Sequence, residues 1–127
     1  MINKMARRPK YLDLFQIRLP LPALTSFLHR VSGALLFLTI PLLLILLQQS
    51  LGSAAGFDAA HARLNHPLVK LFLLVLLWAY LHHFFAGIRF LLLDLHIGVG
   101  LPQARITAAL AVLISVVLTL LMGIWLW

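Results

Sequence analysis

The sequence predicts an all-α membrane protein that crosses the bilayer three times, with its N-terminus cytoplasmic. Three observations carry that prediction. Hydrophobic residues make up 63% of the 127, the mean hydropathy is +1.06, and three apolar runs are each long enough to cross a bilayer core. A soluble chain of this size must cover its surface with polar groups, whereas a bilayer protein turns apolar side chains outward. An unclosed chain can satisfy its backbone in hydrocarbon only as helices.

The elements follow in order. Residues 1–26 are read as a cytoplasmic arm: MINKMARRPKYLDLFQIRLPLP is basic, broken by prolines and leads straight into an apolar run. A cleaved signal would need a short apolar stretch and a small-residue cleavage site there, so the arm is expected to be retained. Its mixture of aromatic and aliphatic residues with prolines suits docking against a cytoplasmic partner. The first span is placed at about residues 27–48, with Pro41 expected to kink it without ending it. The loop QQSLGSAAGFDAAHARLNHP is rich in small residues and has room for one short helix over 57–64; its His61 and His66 are read as solvated loop histidines. The second span is placed at about 68–93 and the third at about 106–127, in a single membrane domain over 1–127 with no repeat or low-complexity tract.

Charge sets the orientation. Lys4, Arg7, Arg8, Lys10, Arg18 and Arg30 precede or open the first span, Arg89 and Arg105 flank the second loop, and only Arg63 and Lys70 flank the first. An excess of basic residues on cytoplasmic segments then puts the N-terminus inside. This also accounts for the net charge of +7 through topology and contact with anionic lipid. Nucleic-acid binding, which wants basic residues clustered on a folded surface, is not needed to explain it. There is no cysteine, which removes disulfides, zinc-thiolate sites and iron–sulfur ligation, so any metal or redox centre must use histidine.

The second span ends in YLHHFFAGIRFLLLD, residues 80–94, which carries two histidines, an arginine and an aspartate. A charged side chain at the bilayer centre costs roughly 2.5–3.5 kcal/mol, so such residues face a bundle interior and mark a site. At about 100° per residue, His83, Gly87, Phe90 and Asp94 fall within an arc of about 60°, while His82 lies a quarter-turn away. In TSFLHRVSG at the mouth of the first span, Ser26, His29, Arg30 and Gly33 follow the i, i+3, i+4, i+7 spacing of one helical face. Both clusters lie toward the cytoplasmic side.

A neutral imidazole in a dry bundle suits axial ligation of haem iron, and haem propionates need cations near the water boundary. His83 meets the first need, His29 and Arg30 the second. A quinone at the same boundary would be held by a hydroxyl and a cation, for which Ser26 and Arg30 are suited. The competing reading is a buried histidine bonded across helices, with small residues serving only as packing. A chain with one well-placed ligand histidine has no bis-histidine haem of its own unless His29 reaches over. Either a partner donates the second ligand or there is no haem.

RPKYLDLFQIRLPLPALTSFLHRVSG at residues 8–33, followed by HFFAGIRFLLLD at residues 83–94, closely resembles the cytochrome b subunit family of bacterial succinate dehydrogenase, the larger of that enzyme's two membrane anchors. The shared marks are an early R-P, S-x-x-H-R-x-[ST]-G at the start of span one and H-x-x-x-G-x-R-H-x-x-x-D at the end of span two. The resemblance implies three spans bundled with a second anchor subunit in the bacterial inner membrane, with an iron–sulfur subunit and a flavoprotein subunit as further partners. It implies that His83 is the axial ligand of haem b, the opposite ligand coming from the other anchor. It further implies that Ser26 and Arg30 line the ubiquinone site, that His29 and Arg30 lie near the propionates, and that Asp94 pairs with an arginine or assists proton delivery. Phe90 departs from the family histidine, which leaves a propionate leaning on His29, Arg30 or the partner.

The chain is thus expected to be non-catalytic by itself, since two short loops and an arm hold no flavin or nucleotide fold. Two other readings stand beside it. One is an anchor of fumarate reductase or another quinone-linked cytochrome b, and the other is a haem-free membrane accessory protein.

Overall fold

The computed structural model describes residues 19–126. The early R-P pair, the basic residues from Lys4 to Arg18 and Trp127 lie outside the described residues. Four helices make up the rest: α1 (Leu21–Gly52), α2 (Ala54–Leu64), α3 (Pro67–Asp94) and α4 (Leu101–Leu126). Three of them, α1, α3 and α4, are long and apolar enough to cross a membrane. At 1.5 Å per residue even the 26-residue α4 extends about 39 Å, beyond the roughly 30 Å of a hydrocarbon core.

Each span outruns the apolar run that announced it, because helix ends are set by caps and prolines rather than by hydropathy. Pro20 caps α1, its carbonyl accepting from the amides of Ala23 and Leu24, and Pro22 fills the first turn where a missing amide costs nothing. Pro102 plays the same part in α4, whose first turn closes from Ala104 N–H to Gly100 C=O at 2.8 Å. The short loop helix begins at Ala54, since the Ser53 hydroxyl accepts from the Gly56 amide at 3.0 Å. Pro41 sits inside α1, and the helix runs through it.

After Asp94 the chain leaves α3 through a Schellman turn: Ile97 N–H reaches Leu92 C=O and His96 N–H reaches Leu93 C=O, both at 2.9 Å. The left-handed residue this turn requires is His96, at φ 60°, where glycine is usual.

Packing is inverted relative to a soluble bundle. Large apolar side chains such as Phe37, Leu44, Leu71 and Leu120 are exposed, while the interior holds Ala79, Ala86, Ala108 and Ala111 with Thr25, Ser32, Thr39 and Ser115. Small residues let the helices approach closely where lipid removes the hydrophobic drive for association. Each of those four hydroxyls bonds to a carbonyl of the preceding turn, as Thr39 does to Leu35 at 2.7 Å, so none is left unpaired in the seam. The central helix is α3, which packs along both α1 and α4, while α2 lies against the far end of α1. Its buried face repeats every three or four residues: Leu76, Ala79, His82, Ala86, Arg89.

Candidate functional site

His29 on α1 and His83 on α3 meet near the start of α1. Their rings stack with centroids 4.1 Å apart and planes 6° from parallel. The His83 Nδ1 atom lies 3.0 Å from the main-chain carbonyl of His29 and 3.4 Å from the Ser32 hydroxyl, which itself donates to that carbonyl at 2.9 Å. A carbonyl only accepts, so Nδ1 carries the hydrogen, and in the neutral ring the lone pair is on Nε2. Metal-bound imidazoles are typically held this way, the far nitrogen donating to a carbonyl.

Of the two glycines beside this pair, Gly33 is the one that the close approach requires. A Cβ on Gly33 would stand 2.8 Å from His83 Cε1, too close for any side chain, whereas one on Gly87 would stand an ordinary 3.5 Å from His29 Nε2. Room beside Gly87 is thus taken by the His29 imidazole, itself a flat ring. Phe90 closes the cluster at 5.1 Å from the His29 centroid, so His83, Gly87 and Phe90 do share one face, as their spacing predicts. Asp94 does not join them: it is exposed at the end of α3. Ser26 is half-buried and Arg30 exposed, one turn apart on α1, and among the described residues neither side chain has a hydrogen-bond partner.

The two adjacent histidines part company. His83 is half-buried beside α1, while His82 is 0% exposed, stacks on Trp78 at 5.4 Å and, among the described residues, has no hydrogen-bond partner for either ring nitrogen. No flat ligand can reach His82 without parting the bundle. The His29 and His83 rings lie plane to plane in their stack, too close for a flat group to sit between them. Among the described residues, no cluster of three or more metal-ligating side chains forms.

Two contributors escaped the reading of the sequence as site residues. Ser32 lies inside the first motif and is the hydroxyl that braces His83. Arg89 is only 6% exposed; its Nε donates to Thr107 Oγ1 at 3.1 Å and its Nη2 to Ala104 C=O at 3.3 Å, while its Cζ lies 5.3 Å from the Phe90 centroid. Its signal was the seven-residue spacing from His82.

A family model described as the succinate dehydrogenase/fumarate reductase transmembrane subunit matches residues 4–122. The chain belongs to this family. Three curated relatives are each a succinate dehydrogenase cytochrome b556 subunit. That of Coxiella burnetii is 40% identical over 96% of this chain and 98% of its own, that of Paracoccus denitrificans 32% over 90% and 88%, and that of Rickettsia felis 28% over 93% and 92%. The match covers the first two spans and most of the third, so the His29–His83 cluster lies inside the matched region.

Proposed function

We propose that this chain is the cytochrome b membrane anchor of a succinate dehydrogenase, holding haem b through His83 and forming part of its ubiquinone site with Ser26 and Arg30. The observation that carries the reading is the bond from His83 Nδ1–H to the His29 carbonyl, which orients the ring and leaves Nε2 for iron. The bound haem would supply one-electron chemistry. The residues of this chain would bind and orient it: His83 as axial ligand, Gly33 and Ser32 fixing that ring, His29 and Arg30 offering donors to propionates. A second ligand would come from a second anchor subunit, since the His29 ring lies flat against the His83 ring with no room for a haem between them.

Ser26 and Arg30, with hydroxyl and guanidinium unengaged among the described residues, suit the two carbonyl oxygens of a quinone at the membrane boundary. Exposed Asp94 suits proton delivery there. The basic arm and the K/R distribution favour a cytoplasmic N-terminus in a bacterial inner membrane. Electrons would then arrive from succinate through a flavoprotein and an iron–sulfur subunit on that side.

The test is a reduced-minus-oxidised optical spectrum of the purified complex. His83→Ala is expected to abolish the low-spin haem band while His82→Ala retains it. An intact band in His83→Ala with loss in His82→Ala would overturn the ligand assignment, and absence of any band in the unmodified complex would overturn the haem reading.

A further inference from the structure

Where the chain turns from α3 into α4, its apolar side chains lie on the outside. Leu95, Ile97, Val99 and Leu101 are between 56% and 69% exposed, and they alternate with His96, Gly98 and Gly100. The turn sits at the same end of the bundle as the opening of α1, since His29 of α1 meets His83 of α3.

Lipid is a poor cover for this loop. Asp94 is exposed where α3 ends, and its short carboxylate has no long stem with which to reach water from inside hydrocarbon, so the loop begins at the water boundary. The backbone agrees. Gly98, at φ 76°, turns the chain back toward α4, and among the described residues the amides of Gly98, Val99 and Gly100 have no main-chain hydrogen-bond partner. Lipid-exposed peptide groups of that kind do not occur in the hydrocarbon region. An apolar patch standing in the aqueous layer marks a protein interface. Its make-up fits one: no charged residue lies within 95–101, and Asp94 and Arg105 flank it, as a polar rim surrounds an apolar interface core.

We propose, on the reading of this chain as a succinate dehydrogenase anchor, that the α3–α4 loop is a docking surface for the iron–sulfur subunit. Leu95, Ile97 and Val99 seat against an apolar face of that partner, and the bare glycine amides between them donate to it. The end of the bundle decides the occupant. Quinone reduction at Ser26 and Arg30, in the first turns of α1, needs its electron donor close to that opening, and the loop stands at the same end.

Val99→Cys, a unique thiol in this chain, is introduced into the complex purified with its subunits. A water-soluble maleimide is expected to leave it unlabelled in the intact complex and to label it once a chaotrope has stripped the soluble subunits. A photo-activated cross-linker on the same thiol is expected to join it to the iron–sulfur subunit. Ile97→Glu is expected to lower the iron–sulfur subunit recovered per tagged anchor about tenfold or more, with Ile97→Leu retaining it. Equal labelling before and after stripping, protection in both states, or cross-linking only to lipid, to the N-terminal arm or to a second anchor would overturn the proposal, as would unchanged recovery in Ile97→Glu. If the unmodified chain recovers no iron–sulfur subunit, the anchor reading falls and this docking surface with it; if it recovers one and the loop thiol is labelled freely, the docking surface alone falls.

Discussion

The imidazoles of His29 and His83, 54 residues apart in sequence and on different helices, lie face to face with their centroids 4.1 Å apart. One main-chain carbonyl, that of His29, receives both the His83 Nδ1–H and the Ser32 hydroxyl. A single helical turn of α1 thereby fixes where the α3 histidine points.

Gly33→Ala tests how tightly that turn is fitted. Its methyl group would meet His83 Cε1 at 2.8 Å, so the ring or the α1 backbone must shift to admit it. A loss of about 1–3 kcal/mol is expected from overpacking, with reduced haem content in the optical spectrum. Gly87→Ala, at 3.5 Å from His29, is expected to change the spectrum far less.

His82→Leu is expected to stabilise the bundle. The ring is fully enclosed and neither nitrogen is bonded, so an apolar side chain of similar volume removes a desolvation cost of about 1–3 kcal/mol. Thermal unfolding in detergent should show a higher midpoint with haem content unchanged; a lower midpoint would mean that His82 has a partner.

Arg89→Leu removes the two bonds that tie the end of α3 to the start of α4. A charged donor to buried acceptors contributes about 1.5–3 kcal/mol per bond, so a marked drop in midpoint is expected. Arg89→Lys should restore only part of it, because one ammonium cannot span Thr107 Oγ1 and the Ala104 carbonyl as the guanidinium fork does.

His96→Gly relieves a left-handed residue at the α3 C-terminus. A gain of about 1 kcal/mol is expected in thermal unfolding, and His96→Val, β-branched at φ 60°, should lose more than that.

Ser26→Ala and Arg30→Ala are each expected to slow quinone reduction by the assembled complex while leaving its subunit composition intact on gel filtration. Full activity in both variants would exclude this pair from the quinone site.

Much of this was legible in the residues. The three spans follow from apolar length alone, and the shared face of His83, Gly87 and Phe90 follows from helical period. Helix ends were less legible, since Pro20, Ser53 and Pro102 act through single hydrogen bonds and fixed dihedrals that hydropathy does not register. The sequence also could not say that Gly33, rather than Gly87, is the one pressed by His83, because that depends on how deeply α1 and α3 interlock. The division between His82 and His83 was readable as a 100° turn, but what each meets required the neighbouring helices.

The alanine and hydroxyl seams leave a mark on how this chain can change over time. Outward positions such as Phe37, Leu71 and Leu120 are exposed on the chain, so leucine, isoleucine, valine and phenylalanine can exchange there at little cost to its own packing. Positions 79, 86, 108 and 111 admit no added methylene without pushing two spans apart. Drift among relatives should therefore run along the outer stripes, leaving a narrow ladder of small residues and Gly33 nearly still.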